Sequence, residues 1–147
     1  MIVLRKFSQA SVLLFGLFAA GLAWSQAAAV AEQRLALKGY DPVAFFTDNK
    51  AVKGTPAIHY EWDEGRYQFS SDKNKFAFAS NPDRYTPQFA GFCTGGLAKG
   101  MKAEANPEFF MVVDGKLYAF SSAKARDAAN ANPDIFASAA KNWKEKK

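Results

Sequence analysis

The spacing of apolar and polar positions changes several times along the chain, and each change marks a predicted element. From Ala57 to Trp62 and from Arg66 to Ser70, aromatic and β-branched residues flank the acidic-glycine turn Asp63-Glu64-Gly65, which predicts a β-hairpin. A second pair of strand-like runs, Phe109 to Val113 and Lys116 to Phe120, flanks Asp114-Gly115, a dipeptide suited to a two-residue type I′ turn. Helical spacing follows each hairpin. Asp72 to Ser80 reads as a short amphipathic helix with Phe76 and the Phe78–Ala79 edge inward, and Ser121-Ser122 precede a helix to Ala131. Asn132-Pro133-Asp134 then opens a last helix that runs to Trp143.

Gly39 to Phe46 reads as another short helix, with Asp41 as its cap and Pro42 at the first position, where a missing N–H costs nothing. The same Asx-Pro device recurs at Asn81-Pro82, Asn106-Pro107 and Asn132-Pro133, so four of the six prolines mark helix or turn starts.

Self-comparison exposes a repeat. FSSDKNKFAFASNPDRY (Phe69 to Tyr85) and FSSAKARDAANANPDIF (Phe120 to Phe136) share Phe, Ser, Ser, Lys, Ala, Asn, Pro, Asp and a closing aromatic at an offset of 51 residues. The expectation is one α+β domain over residues 28–147, with copies at 57–87 and 108–143. Their strands would form a small antiparallel sheet, with helices packed on one face and QFAGFCTGGLAKGMK (Gln88 to Lys102) as the seam between the copies.

Composition adds location. Arg5 and Lys6 precede an apolar run from Ser11 to Trp24, and small residues follow it at Ser25 and Ala27, the layout of an export signal over residues 1–27. Glycine interrupts the run, which is short for a span of about 20 residues. Removing it takes two cations and no acid, leaving 120 residues at a net charge of +3 instead of +5. A periplasmic or secreted protein with no stable membrane span after signal removal is expected. The remaining lysines gather at the C-terminus (Lys141, Lys144, Lys146, Lys147) without interleaved aromatics, which argues for a solvated tail and against nucleic-acid binding.

The chemistry on offer is sparse. The one cysteine, Cys93, is buried, a free thiol, a metal ligand or half of an intermolecular bridge. Lys99, Lys102 and the N–H groups of Thr94-Gly95-Gly96 would favour a thiolate there, whereas packing alone would make it a small core residue. With one histidine, His59, only one thiol–imidazole dyad is available, and nothing marks an orienting partner; a non-enzymatic protein is expected. Gly95-Gly96-x-x-x-Gly100 lacks the preceding strand and the following Lys-Ser/Thr of a phosphate loop. Tyr40, Phe89 and Phe92 are candidate walls of a groove for an apolar ligand or peptide.

Gly39-Tyr40-Asp41-Pro42-Val43-Ala44, the segment from Ile58 to Tyr85 and Gly91-Phe92-Cys93 together resemble the small exported YHS-domain proteins of bacteria, over residues 37–143. The resemblance implies a compact α+β fold and, in many members, binding of soft metals such as copper. In metal-binding YHS domains two cysteines stand four positions apart; here those positions are Ser70 and Asn74, and Ser121 and Ala125 in the second copy, none of which supplies a thiolate. Ser70 and Ser71 suit helix capping instead. A remaining copper set would join Cys93, Met101 and His59, provided the glycines fold the Cys93–Met101 segment back on itself. The competing expectation is a metal-free interaction or small-ligand module.

Overall fold

Positive backbone angles close the second hairpin: Asp114 (φ 50°) and Gly115 (φ 71°) both adopt the left-handed values that a type I′ turn requires. The computed structural model describes residues 33–145; the expected export signal lies outside the described residues. A short strand β1 (Arg34–Leu35) leads to helix α1 (Ala44–Thr47), the hairpin β2 (Thr55–Trp62) and β3 (Gly65–Phe69), then helices α2 (Asp72–Ser80) and α3 (Pro82–Tyr85). Helix α4 (Thr94–Ala98), the hairpin β4 (Asn106–Val113) and β5 (Lys116–Phe120), and helices α5 (Ala123–Ala131) and α6 (Asp134–Lys144) complete the chain. Among the described residues no helix is long and apolar enough to cross a membrane.

The α+β class is as the sequence predicts, but the strands do not join in one antiparallel sheet. They form a three-stranded sheet, β1-β3-β2, in which β1 runs parallel to β3, and a separate two-stranded sheet, β4-β5. Asn106-Pro107 begins a strand, not a helix; Asn106 Oδ1 accepts from the N–H of Glu108 at 3.1 Å and turns the chain into β4.

The duplication is longer than the sequence comparison reveals. Leu37, Lys38 and Gly39 (φ 49°, 49° and 80°) form a left-handed turn, and Phe89, Ala90 and Gly91 (φ 56°, 52° and 77°) form the same one. Tyr40 N–H closes the first on Leu37 O at 2.9 Å, and Phe92 N–H closes the second on Phe89 O at 3.0 Å. Next in line, Asp41 N–H donates to Val52 O (2.8 Å) and Cys93 N–H to Ala103 O (2.9 Å). Pairing shifts register between Thr55 and His59 in one hairpin and between Asn106 and Phe110 in the other. Ser71 and Ser122 each cap their helix through a 3.2 Å bond from the N–H three residues on. Copy one thus begins at Leu37 and copy two at Phe89, and Cys93 belongs to the opening of the second copy. The seam expected between the copies is in fact part of one of them.

Each copy builds its own core. In the first, Tyr67 and Phe69 of β3 pack with Phe78 of α2, joined by Ile58, Tyr60 and Tyr85. Phe78 is fully buried, but Phe76 is 75% exposed, contrary to the expected inward face. Two residues along a helix turn the side chain by about 200°, so a helix that seats Phe78 must expose Phe76. In the second copy Tyr118 and Phe120 pack with Phe89, Leu97, Ala129 and Ala139, under Phe136 and Trp143.

The two hairpins differ on their other face. In the first sheet that face carries His59, Glu61, Arg66 and Gln68, paired as His59–Gln68 and Glu61–Arg66. In the second, the equivalent positions are Phe110, Val112, Leu117 and Ala119. That apolar surface receives the opening of copy one: Leu117 is fully buried with Leu37 and Phe45, and the rings of Phe45 and Phe110 meet edge-on at 4.7 Å. Tyr40 donates to Glu108 Oε1 at 2.9 Å beside this contact. Strand β5 is buried on both faces as a result, which explains its run of buried residues from Leu117 to Phe120.

Leu117→Ala is expected to destabilise the protein by about 2–5 kcal/mol in urea unfolding, because it opens a cavity between the copies. Phe76→Ser should change the same midpoint by less than about 0.5 kcal/mol.

Candidate functional site

The equivalence of the copies pairs two buried polar side chains. Asp41, fully buried, accepts at Oδ1 from Val43 N–H (2.9 Å) and at Oδ2 from Ser70 N–H (2.9 Å), Ser70 Oγ–H (2.6 Å) and Asn74 Nδ2–H (2.7 Å). It fastens the start of α1 to the end of β3 and the first turn of α2. Cys93, 1% exposed, occupies the corresponding position. Its Sγ accepts from Ser121 N–H at 3.2 Å and Gly96 N–H at 3.4 Å, and its S–H donates to Ser121 Oγ at 3.4 Å. Ala103, Ala105 and Ala119 pack around it. Both groups therefore act as knots between a turn and a strand end, satisfied in place as buried polar atoms must be. Ser70 and Ser121 serve these knots, while the neighbouring Ser71 and Ser122 cap the helices; of the expected capping pair Ser70 and Ser71, only Ser71 caps.

The three copper candidates stand in different surroundings. Cys93 is enclosed in the second copy. Met101 is held by its N–H to Gly96 O at 2.9 Å, so the chain does fold back as the glycines allow, but its side chain is 56% exposed. His59 stands on the polar face of the first sheet, with Nδ1 3.0 Å from Pro56 O and Nε2 3.2 Å from Arg66 Nη2. Since the carbonyl only accepts and the guanidinium only donates, Nδ1 carries the proton and Nε2 is the acceptor. Both ring nitrogens are occupied. Among the described residues no three His, Cys, Asp or Glu side chains gather as a metal site.

The groove candidates divide as well. Tyr40 lies at the contact between the copies, where Lys53 Nζ sits 3.9 Å from its ring centroid. Phe89 and Phe92 remain together and line a groove of about 700 Å³ with Tyr67, Pro87 and Trp143. The ring centroids of Phe89 and Phe92 both lie 6.1 Å from that of Trp143. Two cations cover this wall: Arg34 Cζ is 4.3 Å from the Phe92 centroid, and Lys102 Nζ is 4.6 Å from Phe92 and 5.4 Å from Trp143. Cations over aromatic faces are held by the ring quadrupole. Arg34 is also fixed by Ala90 O at 2.7 Å and Glu104 at 3.1 Å. The β2–β3 turn adds Asp63 and Glu64 to the lining.

Sequence reasoning missed Trp143, Lys102 as a groove residue, and Arg34. A signal was present for the first: Trp143 shares the apolar stripe of α6 with Ile135, Phe136 and Ala139. Arg34 precedes both copies, where no pattern distinguishes it.

Three phenols ionise above their ordinary value of 10.0. Burial pushes Tyr67 up, opposed by the Thr86 side chain, with smaller opposing effects from Asp63 and Arg34. Burial also raises Tyr118, and the hydrogen bond to Glu108 raises Tyr40.

Comparison with family models, with curated proteins and with solved structures finds no match to this chain.

Asp41→Ala should destabilise the protein by about 3 kcal/mol or more, since it strands the donors of Ser70 and Asn74; Cys93→Ser should cost about 1–2 kcal/mol in the same urea assay. In alkaline titration followed at 295 nm, three of the five tyrosines are expected to ionise late. The folded state favours their neutral form, so this contribution to stability is complete below pH 10.0 and is lost as the pH rises through the folded-state values. Tyr67→Phe should flatten the alkaline fall in unfolding midpoint.

Proposed function

We propose that the protein is an exported, non-enzymatic binding protein of the YHS type, and that it works through the aromatic groove without a metal ion. The observation that carries this reading is the pair of half-buried rings Phe92 and Trp143, backed by buried Phe89 and Tyr67 and roofed by two cations. Binding sites for small molecules combine such apolar walls with a few placed polar groups. Export is supported by the layout of residues 1–27, and YHS kinship by the motifs quoted above.

The copper reading has less support. To coordinate an ion, Cys93 would have to give up its bonds to Ser121 and Gly96, and His59 would have to release Pro56 or Arg66. Asn74, at one of the family's cysteine positions, is spent on Asp41.

Two measurements test the proposal. Titration with 2-naphthamide, a neutral aromatic probe, should shift the emission of Trp143, and Phe92→Ala should weaken binding by about three- to tenfold. Titration with Cu(I) against a competing chelator should give the same weak uptake for the native protein and Cys93→Ser. Tight copper binding that disappears in the variant would move the assignment to metal handling.

A further inference from the structure

The groove has an unequal distribution of charge. Among the described residues the ion pairs are Arg34–Glu104 and Arg126–Asp127. Arg34 is therefore neutralised where it stands, whereas Lys102 has no carboxylate partner among the described residues and points its ammonium over Phe92 and Trp143. Lys102 is exposed, so a bound group can reach it from solvent. An ammonium held against ring faces keeps donors free on its outer side, and a carboxylate is their natural acceptor. Asp63 and Glu64 line the same groove and would repel a second negative charge.

From this placement, and resting on the groove reading above, we infer that the ligand is an aromatic monocarboxylate: a flat apolar body laid on Phe92 and Trp143, with one carboxylate bound by Lys102. A small aromatic acid and the free C-terminus of a peptide ending in an aromatic residue share this chemistry. The inference concerns the class of ligand and the residue that selects it. Lys102 acts by charge and hydrogen bonding to the carboxylate; the rings supply contact area that is indifferent to charge.

The test compares 2-naphthoate with 2-naphthamide on the full chain by calorimetry, at low and high salt. Naphthoate is expected to bind about three- to tenfold more tightly, with the advantage shrinking as salt rises. Lys102→Gln should bring the naphthoate-to-naphthamide affinity ratio to about one, whatever it does to both affinities together, and Lys102→Glu should reverse the preference. Because Lys102 is exposed, neither variant threatens the fold, and an unchanged urea-unfolding midpoint reports this directly. Equal binding of the two probes by the native protein overturns the carboxylate inference but leaves the groove standing. Failure of both probes to bind overturns the groove itself. A tripeptide ending in tryptophan, with free or amidated C-terminus, separates the two sources: a strong preference for the free acid beyond that for naphthoate assigns a peptide ligand, and none assigns a small acid.

Discussion

The structure depends on the burial of strand β5 from both sides. Tyr118 and Phe120 face the helices of their own copy, while Leu117 faces Leu37 and Phe45 of the other. Neither copy contributes a large core alone, and a hairpin with one helix is marginal in water. Joining two through a shared strand raises the buried area without lengthening either unit. The Phe45–Phe110 edge contact and the Tyr40–Glu108 hydrogen bond set the angle at which the copies meet. Groove and knots alike inherit their geometry from that junction, since Phe89 opens the second copy and packs on Tyr118 with ring centroids 6.0 Å apart.

Much of this was legible. The hairpins followed from alternating aromatics around Asp63 and Asp114, and the capping serines announced α2 and α5. What escaped was carried by residues whose side chains differ between copies. Gly39-Tyr40-Asp41 and Gly91-Phe92-Cys93 do the same work, but an aspartate and a cysteine share no pattern that self-comparison scores. The left-handed turns were hidden for another reason: Leu37, Lys38, Phe89 and Ala90 are not residues that favour positive φ, and only tertiary packing holds them there at about 1–2 kcal/mol each. Phe76 reads as a core residue because it is apolar in a short helix, whereas the inward stripe is set by Asn74 and Phe78, four positions apart.

The two knots show how little a buried polar anchor depends on its element. A carboxylate with four donors and a sulfur with two donors and one acceptor hold the same backbone path. The sulfur is weaker as an acceptor, and the second copy compensates with Ala103, Ala105 and Ala119 packed around it. This is why the cysteine, which the sequence presents as the obvious reactive group, is structurally occupied, while the groove draws on residues from β1, the second left-handed turn and α6 that lie far apart in the chain.

The polar reverse face of the first hairpin has a consequence for assembly. Where copy two offers Phe110 and Leu117 to its neighbour, the matching face of copy one carries His59, Glu61, Arg66 and Gln68. A doubled unit with both faces apolar would present one filled socket and one vacant socket, and each molecule would plug into the next in an open-ended string. Two charges, an amide and an imidazole make that end a poor match for a further apolar docking, so the doubling supplies one socket and no second.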